Sequence, residues 1–360
     1  MGATVIVASP RCFGQRVGRS TRSGLNDCGG VRGLTSAVDN FFNVRSLSDK
    51  QIAELSRETA IDIAVDIAVD LKGHTRDNRI SALGEGCAPV QATYLGYPGT
   101  TGAQFIDYVI ADEIVIPPNA QSNFTEKVVY LPHCYQANDS KRKISGKSFI
   151  REDLGLPKSS FVFCCFNNNY KILPATFDGW MRILNAVPHA ILWLFEDNPT
   201  AAGNLRREAE ARGIDSRRLI FAKWMPLDEH LARQRLADLF VDTFPYGAHT
   251  TASDALWAGL PVLTRMGESF ASRVAASLLT AVDLPEPITH SQQEYEARAI
   301  DLALDPAKLA AVRRKLEFNR TSSPLFDGKR FARHLEAAFE KMHARATAGL
   351  EPDAIVVSES

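Results

Sequence analysis

The chain has 360 residues, with 41 Lys plus Arg against 42 Asp plus Glu and a net charge of −1. That balance argues against non-specific attraction to nucleic acid or to an anionic membrane, so an anionic ligand has to be held by local groups. A hydrophobic fraction of 45% and a charged fraction of 23% are those of a globular protein, and the length sets two domains as the expectation. No apolar run reaches the roughly 18 residues of a membrane span. Six cysteines, at 12, 28, 87, 134, 164 and 165, make no CxxC pair, and two of them are adjacent in an apolar run. Buried thiols in a reducing, cytoplasmic compartment are the reading.

Residues 1–40 hold one short apolar run, 4–8, followed by Gly, Arg and Ser; with five Arg and few acids a transit peptide fits the composition, and a divergent, poorly ordered leader is the expectation. Residues 48–58 read as a helix that Ser48 or Asp49 can cap, with Ile52, Leu55 and Ala60 on its buried side. The next stretch, 61–71, repeats Asp-Ile-Ala-Val and fits either a long strand or a helical overhang before a strand. The turn at 71–75 then places polar groups at the carboxyl end of a strand, where open α/β sheets hold ligands. Residues 90–95 are a strand, and Gly96, Gly99 and Gly102 follow in a tight loop that either meets a ligand or simply joins two segments. Short strands are expected at 108–112 and 127–131. Residues 136–148 form a linker whose basic run, Lys141, Arg142, Lys143 and Lys147, reads as a solvated face.

From residue 161 the pattern becomes regular. Strands at 161–166, 190–194, 219–222, 239–242 and 261–264 alternate with helices at 174–186, 200–212, 226–235, 250–259 and 269–281. Further helices are expected at 291–304, 306–319 and 328–346. Strands and helices alternating at these lengths predict a parallel sheet covered on both faces. The domain reading is a partial N-terminal Rossmann-like lobe at 41–148, a C-terminal lobe at 149–346 and a loose tail at 347–360.

The chemistry gathers at predicted strand ends. Asn167 to Lys171 follow the first strand of the second lobe, and 224–230, including His230, follow the third. The stretch 242–259 ends a strand at Asp242, turns through Pro245 and Gly247, and opens a helix at Thr250. A threonine at a helix start can accept from backbone amides, and that start concentrates unpaired N–H groups and partial positive charge, a common seat for phosphate. Asp254 is assigned to the first helical turn, where a carboxylate is favourable. Lys171 is a compact cation suited to a diphosphate. No His, Cys or Asp cluster has metal-ligand spacing, no Walker lysine motif occurs, and no GxGxxG opens a βα turn.

Several motifs carry a resemblance. Residues 95–100 (LGYPGT), 166–172 (FNNNYKI), 236–238 (LAD), 249–251 (HTT) with 254–259 (DALWAG), 273–277 (RVAAS) and 322–326 (SSPLF) resemble, in order, the catalytic region of the O-linked N-acetylglucosamine transferases and the related SPINDLY proteins. The likeness runs from about residue 45 to about 345 and is to bacterial members above all. It implies a GT-B fold of α/β class: two Rossmann-like lobes, the first incomplete here, the second a full parallel sheet holding the nucleotide-sugar. It further implies transfer of N-acetylglucosamine from UDP to Ser or Thr of a protein or peptide, with inversion, without metal or other cofactor, and with no nucleic-acid or membrane partner.

Carried over by motif, Lys171 is the catalytic lysine that contacts the UDP diphosphate and stabilises the leaving group. Asn168, His230, Arg233, His249, Thr250 and Thr251 bind the donor with it, and Asp254 takes the ribose. The family's tetratricopeptide repeats show no 34-residue period here. Its Ser-x-Asp-Phe-x-x-His-Pro-like motif is also not found in residues 1–40. Two alternatives therefore stand beside the transferase: a catalytically impaired nucleotide-sugar-binding remnant, and SPINDLY-like O-fucosyl transfer from GDP-fucose.

Overall fold

The computed structural model describes residues 4–7, 40–59 and 67–359. Most of the expected leader, and residues 60–66 of the Asp-Ile-Ala-Val repeat, lie outside the described residues. Two compact units emerge. One holds the described residues as far as Ala111 together with Pro118–Tyr130 and Glu336–Val357, and the other holds Asp112–Pro117, Leu131–Leu335 and the last residues.

In the first unit, β1 (Thr4–Val7) pairs in parallel with β2 (Asn40–Asn43). Helix α1 (Asp49–Thr59) starts as its sequence requires: the Gln51 amide donates to Ser48 Oγ at 3.3 Å, and the Ser48 amide donates to Gln51 Oε1 at 2.9 Å. That reciprocal cap satisfies two otherwise orphaned amides. Ile52 and Ala53 of α1 pack into a cluster with Val44, Ala82 and Cys87. The repeat ends in strand β3 (Ile67–Asp70), followed by the short helix α2 (Ile80–Leu83), β4 (Val90–Tyr94), β5 (Tyr108–Ala111) and β6 (Lys127–Tyr130). At Gly96 a Cβ would lie 2.1 Å from the Leu71 carbonyl oxygen, so only glycine lets the loop after β4 approach the turn after β3.

The second unit is the regular one. In chain order it runs β7 (Phe161–Cys165), α3 (Pro174–Ala186), β8 (Ala190–Phe195), α4 (Pro199–Ala211), β9 (Leu219–Ala222), α5 (Leu227–Gln234), β10 (Leu239–Val241) and α6 (Thr250–Ala258). It continues through β11 (Val262–Arg265), α7 (Val274–Ala281), β12 (Ile288–Thr289), α8 (Gln292–Leu304) and α9 (Pro306–Asn319). Its six strands lie in the order β12-β11-β10-β7-β8-β9, and every pairing is parallel. The strands read as continuous apolar runs because both faces are covered. Phe163, Trp180, Trp193 and Phe240 are each no more than 1% exposed, and burying a side chain of this size contributes about 1.5–3 kcal/mol. The helix expected at 269–281 is interrupted at Arg273, whose guanidinium turns back to the carbonyls of Gly267 and Ile114 and separates a short 3-10 turn, Phe270–Ser272, from α7.

Two boundaries differ from the sequence reading. Residues 131–148 belong to the second unit rather than ending the first lobe, because the supposed linker is tied to α6 by side chains described below. The last segment, expected as a loose tail, is ordered. After α10 (Gly328–Thr347), β13 (Ile355–Val356) pairs in parallel with β6 and completes a five-stranded sheet, β13-β6-β5-β4-β3. Ile355 and Val357 are buried, the Val357 amide donates to the Tyr130 carbonyl at 3.0 Å, and Lys341 of α10 donates to the Val356 carbonyl at 2.7 Å.

Candidate nucleotide-sugar site

The strand order places the reversal of winding between β7 and β10. Outside the carboxyl ends of those two strands is the crevice in which such sheets bind ligands. The loops that leave β7 and β10 carry most of the residues that the sequence singled out.

Asp242, directly after β10, is buried and organises its turn. It accepts from the amides of Thr243 and Ala248, both at 2.7 Å, from the Thr264 hydroxyl at 2.8 Å and from Asn167 Nδ2 at 3.1 Å. Burial raises its pKa, and the Thr264 hydroxyl, the Lys171 charge and the Thr243 and Ala248 amides oppose the rise. Gly247 passes so close that a Cβ there would be 3.0 Å from Asp242 Oδ2. Asn167 joins the two loops: its Nδ2 also donates to Thr243 Oγ1 at 2.8 Å, and its Oδ1 accepts from the Thr251 hydroxyl. Sequence reasoning passed over Asn167 and chose Asn168. Asn168 is half-buried, and its carbonyl accepts from the Lys171 amide at 3.0 Å.

Helix α6 does not begin with a threonine cap. His249 is the capping residue, no side chain makes the cap bond, and Thr250 is the first helical residue. The first helical bonds run from the Ala252 and Ser253 amides to the His249 carbonyl, both at 3.1 Å. The amides of Thr250 and Thr251 precede them and have no intrahelical acceptor. Thr250 is exposed and Thr251 half-buried.

Lys171 lies against this helix start. Its Nζ donates to the Gly247 carbonyl at 2.7 Å and stands 4.0 Å from the centroid of the Tyr246 ring. Burial lowers its pKa to about 8, against the opposing pull of Asp242. His249 stacks on Tyr246 at 5.1 Å, and its pKa is lowered to about 3 by burial and then by the Lys171 charge, so the ring is neutral near pH 7. A desolvated cation beside a helix N-terminus is a strong local attraction for a diphosphate.

Beyond β9, Arg233 is 1% exposed and spends its donors inside the protein: on the Lys223 carbonyl, and on His230 Nδ1 through Nε at 3.0 Å and Nη2 at 2.7 Å. It therefore orients His230 rather than facing a ligand. His230 Nδ1 is the acceptor, which leaves the ring proton on Nε2. Burial, then the Arg233 charge, lowers the pKa of His230 to about 3. The ring meets Phe166 edge-on at 5.1 Å.

Asp254 is not in the first turn of α6, which holds no acidic residue; it is buried one turn on and ion-paired with Arg142. Arg142 Nη2 also donates to Ser253 Oγ at 3.2 Å, and Trp257 Nε1 donates to the Arg142 carbonyl at 3.1 Å. The supposed solvated face is thus, at Arg142, an anchor onto α6, while Lys141, Lys143 and Lys147 are exposed. Among the described residues no group of three or more His, Cys, Asp or Glu side chains could hold a metal ion, and no helix is long and apolar enough to cross a membrane.

The profile of Glycosyl transferase family 41 matches residues 32–148 and 147–335. The chain is 37% identical over 333 residues to the probable UDP-N-acetylglucosamine–peptide N-acetylglucosaminyltransferase SEC of Arabidopsis thaliana, a match covering 91% of this chain and 34% of that protein. It is 33% identical to the SPINDLY protein of Solanum lycopersicum, described by the same probable activity, over 86% of this chain and 33% of the relative. The chain thus spans about a third of the length of these relatives. Among solved structures, a mutant O-GlcNAc transferase of Thermobaculum terrenum superposes with a TM-score of 0.82 at 32% identity, covering 90% of this chain and 61% of that one. The match carries the GT-B α/β fold expected from the motifs.

Proposed function

Because the chain belongs to glycosyl transferase family 41, we propose that it transfers N-acetylglucosamine from UDP-N-acetylglucosamine to Ser or Thr hydroxyls of proteins. The observation that carries this reading is the half-buried Lys171 ammonium, held by the Gly247 carbonyl against the start of α6 at the β7/β10 reversal, where Asn167 ties Asp242 to Thr251. In the reaction the acceptor oxygen attacks the anomeric carbon from the face opposite the diphosphate, the bond from that carbon to the diphosphate oxygen breaks, and the electron pair passes to UDP. The hydroxyl proton is lost to the diphosphate or to water, and configuration inverts.

Lys171 and the amides of Thr250 and Thr251 neutralise the developing charge on UDP, with the Thr250 and Thr251 hydroxyls and Asn168 beside them. Donors preorganised in a partly desolvated site do this without reorganisation, which is the role a metal plays elsewhere. His230 offers its Nε2 proton to a base carbonyl, with Arg233 holding the ring. His249 lines the diphosphate end as a neutral group, and Asp254, shared with Arg142, is the carboxylate nearest in sequence for ribose hydroxyls. The buried free thiols of Cys87, Cys134, Cys164 and Cys165 support a reducing, cytoplasmic setting.

The test is sugar transfer from labelled UDP-N-acetylglucosamine to a Ser/Thr peptide library, with UDP and GDP as competitors. Transfer inhibited by UDP supports the proposal. UDP binding without transfer reduces the chain to a nucleotide-sugar-binding module, and preferential competition by GDP replaces the donor.

A further inference from the structure

The loop after β8 contains none of the residues read as donor ligands, yet its Asp197 carboxylate grips the turn that carries Lys171. Oδ2 accepts from the Asn169 backbone amide at 3.1 Å, Oδ1 accepts from Asn169 Nδ2, and Oδ1 also accepts from Asn198 Nδ2 at 2.9 Å. We propose that Asp197 is a positioning residue, which pins the 169–171 turn and so holds the Lys171 ammonium in its desolvated place. The proposal rests on the donor-binding reading above for its catalytic consequence, though not for its geometry.

The turn needs an outside anchor. It is a three-residue 3-10 segment, Asn169–Lys171, closed by bonds from the Lys171 and Ile172 amides to the carbonyls of Asn168 and Asn169, both at 3.0 Å, with the Leu173 amide donating to the Lys171 carbonyl at 3.1 Å. Segments this short do not hold themselves. None of its residues is buried, and Tyr170 is 66% exposed, so apolar packing does not fix it either. Asp197 grips Asn169 by both its main chain and its side chain, two residues before the lysine.

The post that bears Asp197 is rigid. The Glu196 amide donates to the Ala222 carbonyl of β9 at 3.0 Å, and Asn198 caps α4 by accepting from the Ala201 amide at 2.7 Å. At the other end, Lys171 meets the Gly247 carbonyl and the Tyr246 ring, with Asp242, the Cys165 thiol and neutral His249 as the titratable groups around it. Released from Asp197, the turn can lift and return the ammonium to water, where it is an ordinary lysine.

The experiment is residue-resolved acetylation of the whole protein with acetic anhydride across pH, read by mass spectrometry, for the wild type and for Asp197→Ala, Asn169→Ala and Asp197→Asn. In the wild type Lys171 acylates with a midpoint near pH 8. In Asp197→Ala and Asn169→Ala the midpoint moves up by about one unit, cutting labelling at pH 8 roughly fivefold. Asp197→Asn, which keeps one acceptor oxygen, falls between. A Lys171 midpoint unmoved in both alanine variants overturns the proposal, and Asn169→Ala decides it if Asp197→Ala does not fold. UDP titration of the same proteins is read separately: a shifted midpoint in a wild type that binds no UDP keeps the positioning role and sinks the donor reading.

Discussion

Two strand ends in this molecule are built alike and lead to different surroundings. Asp70, the last residue of β3, accepts from the amides of Lys72 at 3.2 Å and Gly73 at 2.5 Å, and from the hydroxyl of Thr93, its register partner on β4, at 3.4 Å. Asp242, after β10, accepts from two amides of its own turn and from the hydroxyl of Thr264 on β11. In both cases a carboxylate ties a turn to a neighbouring parallel strand. The turn after Asp70 then closes on its own unit: His74 Nε2 lies 2.6 Å from the Thr101 carbonyl, and the Thr101 amide and the hydroxyls of Thr100 and Thr101 go to buried Glu126. The turn after Asp242 runs into α6, whose first amides have no helical acceptor, and against a half-buried lysine. The strand-end aspartate is therefore a folding device, and the ligand chemistry comes from what the held turn faces.

The largest effect should come from the cation itself. Lys171→Ala is expected to lower kcat for sugar transfer by about 10²–10³-fold, the cost of removing one preorganised charge-stabilising donor, with the thermal midpoint little changed. An unaltered rate in a folded protein breaks the contrast at its centre. Next, Asp242→Ala orphans several buried donors and should lose roughly 3 kcal/mol or more in urea unfolding, together with most UDP affinity. Retained UDP affinity would mean that the turn is held without it. For the ribose assignment, UDP should bind about tenfold better than its 2′,3′-dideoxy analogue, a margin of about 1.4 kcal/mol, and Asp254→Asn should erase the margin. Equal affinities in the wild type would leave Asp254 only as the partner of Arg142.

The pH dependence follows from Lys171. Its pKa is lowered to about 8, so the free protein loses this charge as pH rises through 8. UDP affinity should be highest below about pH 8 and fall by up to tenfold per unit above it, since binding must then take up a proton. Calorimetry at pH 7.5 and 9 in buffers of different ionisation enthalpy checks both the fall and the proton uptake. The smallest effect is at the counterpart: Asp70→Ala should cost roughly 1 kcal/mol in urea and leave UDP affinity unchanged. A marked loss of affinity there would show that the two turns are functionally alike after all.

Much of the second unit was legible in the chain because its signals are local. Apolar runs such as 161–165 and 190–195, spaced by helices with Pro at the first turn, announce a parallel sheet within a few residues of its real bounds. Lys171 and the start of α6 were singled out because each lies on, or at the end of, the loop that leaves a strand's carboxyl end. The misses share one cause. Arg142 and Asp254 are 112 residues apart, Asn167 and Thr251 are 84 apart, and β13 pairs with a strand more than two hundred residues earlier. The sequence pattern of Arg142 is that of any exposed basic run, and Asp197 reads as one more polar residue before a helix.

By itself, then, the sequence determined the class of fold, the βα rhythm of the second unit, the family and the cation and helix start proposed to meet an anion, because periodicity, turn chemistry and short motifs are properties of neighbours along the chain. Only the tertiary structure decided which asparagine joins β7 to β10, that Asp254 is already paired and that Asp197 anchors the lysine's turn. Those choices depend on strand order and on buried carboxylates finding donors far away in sequence, and burial is settled only once the sheet is assembled.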